Sequence, residues 1–141
     1  MNVAFFLKPK SEVSFLYCDT PLPQALDIMQ RHGYSSVPVI DREGRYVSTV
    51  REGDFLNFLV RTDGEHLYLT EAHAAETRCL QDVLHDRDRN PPCHIGIPIE
   101  QLLCRTMEQN FIPIVDDRGI FIGIVTRRAV LNHFLSPEET R

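Results

Sequence analysis

The sequence repeats itself at a constant offset of 75 residues, and this repeat constrains the fold more than any other feature. One register is kept through a turn and a helix, which indicates a duplicated structural unit. Neither copy is long enough to bury its apolar strands alone, so we expect two sheets to pack face to face about a pseudo-twofold axis. The matched positions are Pro38, Asp41, Gly44, Val50, Leu56 and Asn57, which recur as Pro113, Asp116, Gly119, Val125, Leu131 and Asn132.

The first copy has the pattern of a β-α-β-β-α unit. Thr20-Pro21 predicts a helix start, with a hydroxyl N-cap and a proline in the first turn. Gly33 suits the left-handed position that closes a helix. The apolar face of this helix is predicted from Leu22, Ala25, Leu26 and Met29. The remaining elements are strands at Val13–Tyr17, Val37–Ile40 and Tyr46–Val50, with a tight turn at Asp41–Gly44 between the last two, and a closing helix at Gly53–Val60.

The second copy follows the same scheme after a short strand at Cys93–Ile95. Pro98 is predicted to open a helix that Asn110 ends. Its apolar face is predicted from Ile99, Leu102, Leu103 and Met107. Strands at Ile112–Val115 and Ile120–Val125 and a last helix at Arg127–Leu135 complete the unit.

The segment between the copies is polar and ends in the loop signal Asp86–Pro92. Leu80, Val83 and Leu84 predict a short helix within residues 77–85. We therefore divide the chain into a first motif at residues 1–60, a linker at residues 61–92, and a second motif with a C-terminal tail at residues 93–141. A linker of this length indicates either a loop with its own role or a mobile one.

Composition and motifs exclude several classes of function. A net charge of -5 argues against non-specific nucleic-acid binding. The longest apolar runs, such as Val37–Ile40 and Ile120–Val125, are too short to span a membrane. No metal-site spacing, P-loop or catalytic constellation is found, so we expect no enzyme activity, no metal and no cofactor. The four cysteines, Cys18, Cys79, Cys93 and Cys104, lack a CxxC spacing and indicate reduced thiols in a cytoplasmic protein.

Two segments carry a resemblance to a known family. Gly123–Ala129 (GIVTRRA) and Ser48–Asp54 (STVREGD) stand at the same place in the two copies, each leading from a strand into the closing helix. In this setting the chain resembles a tandem pair of CBS motifs, a Bateman module, over about residues 1–135. It is similar to the small standalone CBS proteins of Gram-positive bacteria, some of which bind cyclic di-AMP. The resemblance implies an α/β (α+β) fold and adenine nucleotides bound in clefts between the two motifs.

The resemblance places the main nucleotide site at Thr126. The Thr126 hydroxyl can cap the last helix, whose N-terminus favours an anion, and Arg127 and Arg128 add two permanent cations for phosphate. An alternative is a capping threonine beside two solvated arginines. The opposing wall implied by the family consists of Val13, Ser14, Tyr34, Ser35, Ser36 and Val37, with Tyr34 able to stack on adenine.

A possible second site is chemically different. Asp54 stands at the ribose-binding position of the family, whereas the equivalent residue in the second copy is Ala129. Arg51 replaces the family's threonine and can contact phosphate or pair with Glu52 or Asp54. Asp54 and Glu52 are also favourable in a first helical turn without any ligand. The opposite wall would be Pro92–His94, including His94, together with Asn110, Phe111 and Ile112.

These patterns lead to two hypotheses about function. The first is a non-enzymatic regulatory module that binds cyclic di-AMP, AMP or ATP and relays it to an unidentified protein partner, with no nucleic-acid or membrane partner. The absence of a carboxylate at Ala129 favours a phosphate-rich or cyclic adenine dinucleotide over AMP. The alternative is a ligand-free dimerisation scaffold. A homodimer surface could include Phe55, Phe58, Leu59, Val130 and Phe134, although the same residues could equally form the core.

Overall fold

The structure, a computed structural model, describes residues 1–62, 67–69, 76–84 and 89–135. It is a mixed α+β fold made of two compact units. The repeat-1 unit comprises Phe15–Arg42 and Val47–Arg89, and the repeat-2 unit comprises Met1–Ser14, Glu43–Tyr46 and Asn90–Arg141. The boundaries at residues 60, 61, 92 and 93 drawn from the sequence stay a prediction.

The repeat-1 unit is built on a three-stranded sheet in the order β2-β3-β4. Strand β2 pairs in parallel with β3, so that Leu16 lies opposite Val39 and Tyr17 opposite Ile40. Helix α2 lies between β2 and β3 in the chain, and α3 follows β4 directly. The bounds are β2 at Leu16–Tyr17, α2 at Leu22–His32, β3 at Ser36–Ile40, β4 at Tyr46–Arg51 and α3 at Glu52–Leu59.

The repeat-2 unit repeats this plan with one addition from the N-terminal segment. Its sheet has the order β1-β9-β8-β7, with β7 parallel to β8 and with β8 and β1 antiparallel to β9. Helix α1 (Val3–Phe6) and strand β1 (Lys8–Pro9) precede a short 3₁₀ turn at Lys10–Glu12. The other elements are β7 at Cys93–His94, α4 at Ile99–Arg105, β8 at Phe111–Val115, β9 at Phe121–Thr126 and α5 at Arg127–Leu135.

The predicted order of strands and helices is confirmed in both copies, but two helix ends differ from the prediction. Thr20 does not cap α2: Pro21 is the N-cap residue and no side chain caps the helix. The backbone N–H of Leu22, the first residue of the helix, donates to the carbonyl of Arg78 at 3.0 Å. Gly33 closes α2 with φ 69°, as predicted for a left-handed C-cap.

The second deviation concerns the helix predicted to run from Pro98 to Asn110. Helix α4 ends at Arg105 and continues only as turns, in which Met107 donates to Cys104 and Gln109 to Arg105. Met107 therefore leaves the predicted apolar face and is 80% exposed. Leu102 remains fully buried, so the face predicted for the first turns of this helix is correct.

Each unit has its own apolar core, and the cores contain most of the residues suggested above for a homodimer surface. Phe55 and Phe58 are buried in the repeat-1 core, and Val130 is buried in the repeat-2 core. Leu59 packs partly against the repeat-1 core, and Phe134 is exposed. Their assignment to a dimer surface is therefore wrong for Phe55, Phe58 and Val130, whose large side chains are needed to fill the interior of each unit.

The linker contributes local structure to the repeat-1 unit. The helix predicted within residues 77–85 is a 3₁₀ helix at Leu80–Val83, in which Leu80 and Val83 are fully buried. The N–H of Leu80 donates to the carbonyl of Thr20 at 2.8 Å, which ties this segment to the start of α2. A two-stranded antiparallel pair, β5 at Val60–Thr62 and β6 at Leu67–Leu69, was not predicted.

At Gly123 in β9, the backbone of Lys8 approaches so closely that no side chain would fit. The φ of Gly123 is 156°, and a Cβ built there would lie 2.2 Å from the carbonyl oxygen of Lys8. Lys8 belongs to β1, which pairs Pro9 with Gly123 and Lys8 with Ile124. Only glycine allows β1 to add to the edge of this sheet at this point.

The turn between β8 and β9 is organised by Asp116. One carboxylate oxygen accepts the backbone N–H of Arg118 at 2.9 Å and that of Ile120 at 3.0 Å. These two hydrogen bonds to the ionised form lower the pKa of Asp116, and the nearby charges of Arg118 and His94 act in the same direction. The turn therefore depends on an ionised carboxyl group.

Candidate functional site

The closing helices of the two units start in the same way. In the repeat-2 unit the backbone N–H of Arg127 donates to the carbonyl of Asn110 at 2.9 Å. In the repeat-1 unit the backbone N–H of Glu52 donates to the carbonyl of Ser35 at 3.3 Å. The two donors, Arg127 and Glu52, differ by the 75-residue offset of the repeat, and so do the two acceptors, Asn110 and Ser35. The duplication therefore extends to individual hydrogen bonds at the helix starts.

At the start of α5, the side chain of Thr126 caps the helix. Its hydroxyl oxygen accepts the backbone N–H of Ala129 at 3.0 Å, which is the capping role predicted from the sequence. The side chain of Arg127 turns toward the end of α4, where Nε donates to the carbonyl of Thr106 at 2.7 Å and Nη2 to that of Met107 at 3.4 Å. Arg127 therefore satisfies carbonyls that α4 leaves open at its C-terminal end.

Arg128, the next residue of α5, differs from Arg127 in its exposure to solvent. Arg128 and Ala129 are exposed in the first turn of α5, whereas Thr126 and Arg127 are half-buried. A cation near a helix N-terminus opposes the positive end of the helix dipole, and an anion placed there would offset this unfavourable interaction. Val13 and Ser14 belong to the same unit, with Val13 half-buried and Ser14 exposed directly after the 3₁₀ turn.

The remaining residues predicted for the main site lie in the repeat-1 unit, in the connection from α2 to β3 and at the start of β3. The backbone N–H of Tyr34 donates to the carbonyl of Met29 at 3.0 Å, and its ring is stacked on that of His32 with centroids 5.5 Å apart. Ser35 is exposed and Ser36, the first residue of β3, is half-buried. Val37 is buried in the core, so only its backbone groups can serve recognition. A role for these four residues in nucleotide binding stays a prediction.

At the start of α3, Asp54 is the centre of the predicted second site. It is 1% exposed. One of its oxygens, Oδ2, accepts the backbone N–H of Arg51 at 2.8 Å and Nη1 of Arg89 at 2.5 Å. Arg89, rather than the Arg51 guanidinium, therefore supplies the cation that pairs with this carboxylate.

The residues predicted for the opposite wall of the second site lie in the repeat-2 unit. His94 is engaged on both sides of its ring: Nδ1 accepts the N–H of Gly96 at 2.8 Å, and Nε2 is paired with the carboxylate of Asp117. Asn110 is exposed, but its carbonyl is taken by Arg127. Phe111 and Ile112 are buried strand residues. Pro92 is exposed before β7. Ligand binding by these residues stays a prediction.

Sequence reasoning did not identify Arg89 or the carbonyl partners of Arg127. Arg89 lies in a polar run where no periodicity assigns a partner to any one residue. The partners of Arg127 depend on α4 ending at Arg105, several residues before the end predicted from the sequence. The sequence carries no clear signal for this early end, because the apolar periodicity of the helix continues to Met107.

Three of the cysteines, Cys18, Cys79 and Cys93, have thiol pKa values that the fold raises. Burial raises the pKa of Cys18, Cys79 and Cys93, and the nearby Asp19 and Asp82 carboxylates raise it further for Cys18 and Cys79, respectively. These three groups are therefore protonated thiols at neutral pH. Within the same residues, none of the helices is long and apolar enough to span a bilayer.

Comparison with known families decides the identity of the repeated unit. The family model for the CBS domain matches the chain twice, at residues 7–61 and at residues 82–136. This chain belongs to the CBS domain family. The two matches correspond to the two copies found from the 75-residue offset, and each CBS match contains one of the two helix starts described above.

Relatives of this CBS protein include nucleotide receptors. It is 24% identical over 130 residues to cyclic di-AMP receptor B of Bacillus subtilis, which covers 92% of this chain and 84% of the receptor. The structure of the CbpB protein of Listeria monocytogenes in complex with cyclic di-AMP superposes with a TM-score of 0.81 at 22% identity, covering 99% of this chain and 98% of that one. CBSX2 in complex with AMP gives a TM-score of 0.71 at 22% identity over 97% of this chain and 98% of that one. These similarities support the tandem CBS fold.

Proposed function

We propose that this CBS pair is a non-enzymatic regulatory module that binds an adenine nucleotide at the start of α5 and relays its presence to a protein partner in the cytoplasm. The observation that supports this most is the exposed Arg128 guanidinium in the first turn of a helix whose other arginine, Arg127, already bonds the carbonyls of Thr106 and Met107. An anionic ligand would relieve the unfavourable position of Arg128 and use the N–H groups of the helix N-terminus.

Cyclic di-AMP is the nucleotide that fits this helix start best. Ala129 offers no carboxylate for a ribose hydroxyl, so recognition at α5 must rely on phosphate and base contacts. Two phosphodiester groups give cyclic di-AMP more opportunity for such contacts than AMP has. The likeness to cyclic di-AMP receptor B, which covers most of both chains, supports the same choice.

The proposal is tested by calorimetric titration of cyclic di-AMP into the parent chain and into Arg128→Ala. A lost hydrogen bond to a charged group is worth about 1.5–3 kcal/mol, so we expect the Kd to rise roughly 10- to 100-fold. Arg118→Ala, which changes an exposed arginine in the β8–β9 turn, is the matched control and should bind like the parent. Equal affinity of Arg128→Ala and the parent would contradict a phosphate contact at this residue.

A ligand-free dimerisation scaffold is the second candidate. It is favoured by exposed apolar side chains at equivalent positions of the two closing helices, Leu56 at 60% and Leu131 at 47% exposure. Apolar exposure repeated at matched sites is typical of an interaction surface. If cyclic di-AMP, AMP and ATP all fail to bind while sedimentation shows a concentration-dependent homodimer, the scaffold hypothesis is favoured over the regulatory one.

A further inference from the structure

Two cysteines of the repeat-1 unit lie on chain segments that run side by side. The segment that enters α2 is antiparallel to the one that leads into the 3₁₀ helix at Leu80–Val83, and Pro21 faces Cys79 in an antiparallel bridge. The N–H of Leu80 donates to the carbonyl of Thr20 at 2.8 Å on one side of this bridge. Opposed residues in such a bridge have Cα atoms about 4.5 to 5.5 Å apart. Cys79 is therefore held directly beside the start of α2.

Cys18 is brought to the same region by a turn. The N–H of Thr20 donates to the carbonyl of Tyr17 at 3.0 Å, so the chain folds back at Cys18 and Asp19. The carbonyl of Cys18 in turn accepts the N–H of Gln81 at 2.9 Å. Its backbone is thus bonded to the segment that carries the second cysteine, and both positions belong to the same compact unit.

The two thiols are close enough to influence each other. Both are free and half-buried. Burial raises the pKa of Cys18 most, followed by the carboxylates of Asp19 and Asp41, and the charge of a Cys79 thiolate raises it as well. Sγ of Cys79 contacts Oδ2 of Asp82 at 3.5 Å, but a thiol is a weak donor, so this contact does little to oppose a change of rotamer.

We propose that Cys18 and Cys79 form an intramolecular disulfide when the protein meets a low-molecular-weight disulfide, RSSR, as the oxidant. One cysteine thiolate attacks RSSR, which gives a mixed disulfide and releases the first RS⁻. The other cysteine thiolate attacks the protein sulfur of the mixed disulfide, which forms the Cys18–Cys79 bond and releases the second RS⁻. The two RS⁻ take up the two protons that the cysteines lose. Two cysteine thiols are thereby oxidised, and one RSSR is reduced to two RSH.

The new bond fastens the 3₁₀ helix to the start of α2. Leu80 and Val83 are fully buried in the repeat-1 core, so detachment of this helix would expose apolar surface. A cross-link that closes a loop of about 60 residues restricts the unfolded chain and stabilises the attached state. This modification site goes beyond the proposed function, because its formation and its test involve no nucleotide.

The test treats the folded parent chain with bis(2-hydroxyethyl) disulfide, alkylates the remaining thiols and maps the peptides by mass spectrometry without reduction. We expect a cross-linked peptide pair that joins Cys18 to Cys79, lighter by about 2 Da than the two reduced peptides together. Only the thiolate reacts, and the fold raises both pKa values. The rate should therefore rise roughly tenfold per pH unit from about pH 7 to about pH 8.5.

Serine variants test each half of the pair. Cys18→Ser and Cys79→Ser should both stop at the mixed disulfide with the reagent. Cys104→Ser is the matched control because it removes an exposed thiol elsewhere, and it should form the cross-link like the parent. Oxidation should raise the Tm of the parent and of the control by roughly 5–10 °C and leave the Tm of the other two variants within about 1 °C.

Three results would overturn the inference. The first is a folded parent that gives only mixed disulfides at Cys18 and Cys79, since the thiols then react without reaching each other. The second is a parent in which neither of these thiols reacts. The third is a cross-link that appears only after unfolding in urea. The peptide map of the parent decides all three, so the test does not depend on the folding of any variant.

Discussion

The starts of α3 and α5 occupy the same place in the duplicated unit, but different side chains bind the backbone N–H groups at each start. Both helices begin with a backbone N–H bound to a carbonyl 17 residues earlier, from Glu52 to Ser35 and from Arg127 to Asn110. At α5 a threonine caps an N–H and an arginine stays exposed, whereas at α3 an aspartate is buried against Arg89. The two helix starts thus share their backbone hydrogen bonds but differ in the charge and solvent exposure of their side chains. This is expected when a duplicated fold is kept while the residues of its sites change.

The sharpest way to break the equivalence of the copies is to give β9 the residue found at the matching place in β4. Gly123→Ser introduces the counterpart of Ser48, which is fully buried in the repeat-1 unit. Since a Cβ at residue 123 would lie 2.2 Å from the carbonyl oxygen of Lys8, we expect a loss of roughly 2–4 kcal/mol in the free energy of unfolding. The measurement is urea unfolding followed by circular dichroism.

A matched control for that exchange is Gly53→Ala in α3. A Cβ there meets nothing within 4 Å, and the glycine has no positive φ. Replacing glycine by alanine within a helix should raise stability by about 0.5–1 kcal/mol. A Gly123→Ser variant as stable as the parent would show that β1 does not pair with β9 in solution.

The second comparison concerns Arg127 and its counterpart Glu52. Arg127→Ala removes the bonds to the carbonyls of Thr106 and Met107, so we expect a loss of roughly 1–3 kcal/mol. Glu52 is exposed, and Glu52→Ala should change stability by only a few tenths of a kcal/mol. Thermal denaturation of both variants measures the difference. Equal effects would mean that the Arg127 side chain does not stabilise the end of α4.

The smallest expected effect is the pH dependence contributed by Asp116. Its pKa is lowered in the folded state by hydrogen bonds from the backbone N–H groups of Arg118 and Ile120. The stabilisation is therefore present above the unfolded pKa of about 3.9 and is lost as the pH falls through the lower folded value. Asp116→Asn should reduce the steepness of the Tm decline below pH 4. An unchanged pH profile would show that this turn does not depend on the ionised group.

The 75-residue offset predicted the succession of strands and helices because apolar periodicity and turn residues are local signals. Gly33 and the β8–β9 turn are examples where one residue type determines the backbone. The exposure of Met107 was not predictable in this way, since it depends on where α4 ends. The periodic pattern continues past Arg105, but the hydrogen bonds of Gln109 to Asn90 and of Arg127 to Thr106 favour turns there instead.

For the two candidate sites, the sequence predicted which residue types stand at the helix starts, but it did not predict which side chains are buried or which residues they pair with. The capping role of Thr126 follows from its position before a helix. The separation of Arg127 from Arg128 and the pairing of Asp54 with Arg89 depend on residues distant in sequence. A buried carboxylate and an open one have the same sequence signature, and only the tertiary structure distinguishes them.

The pairing of β1 with β9 has a consequence for the order in which the protein is made. Lys8 and Pro9 leave the ribosome well before their partners Ile124 and Gly123, which lie in the second copy of the repeat. The repeat-2 sheet therefore cannot acquire this edge strand until β9 has been synthesised, and long-range pairing of this kind is slow compared with local contacts. Until then the N-terminal segment lacks its strand partner, so Val3 and Phe6 reach their buried positions in the repeat-2 core only after the second copy has been made.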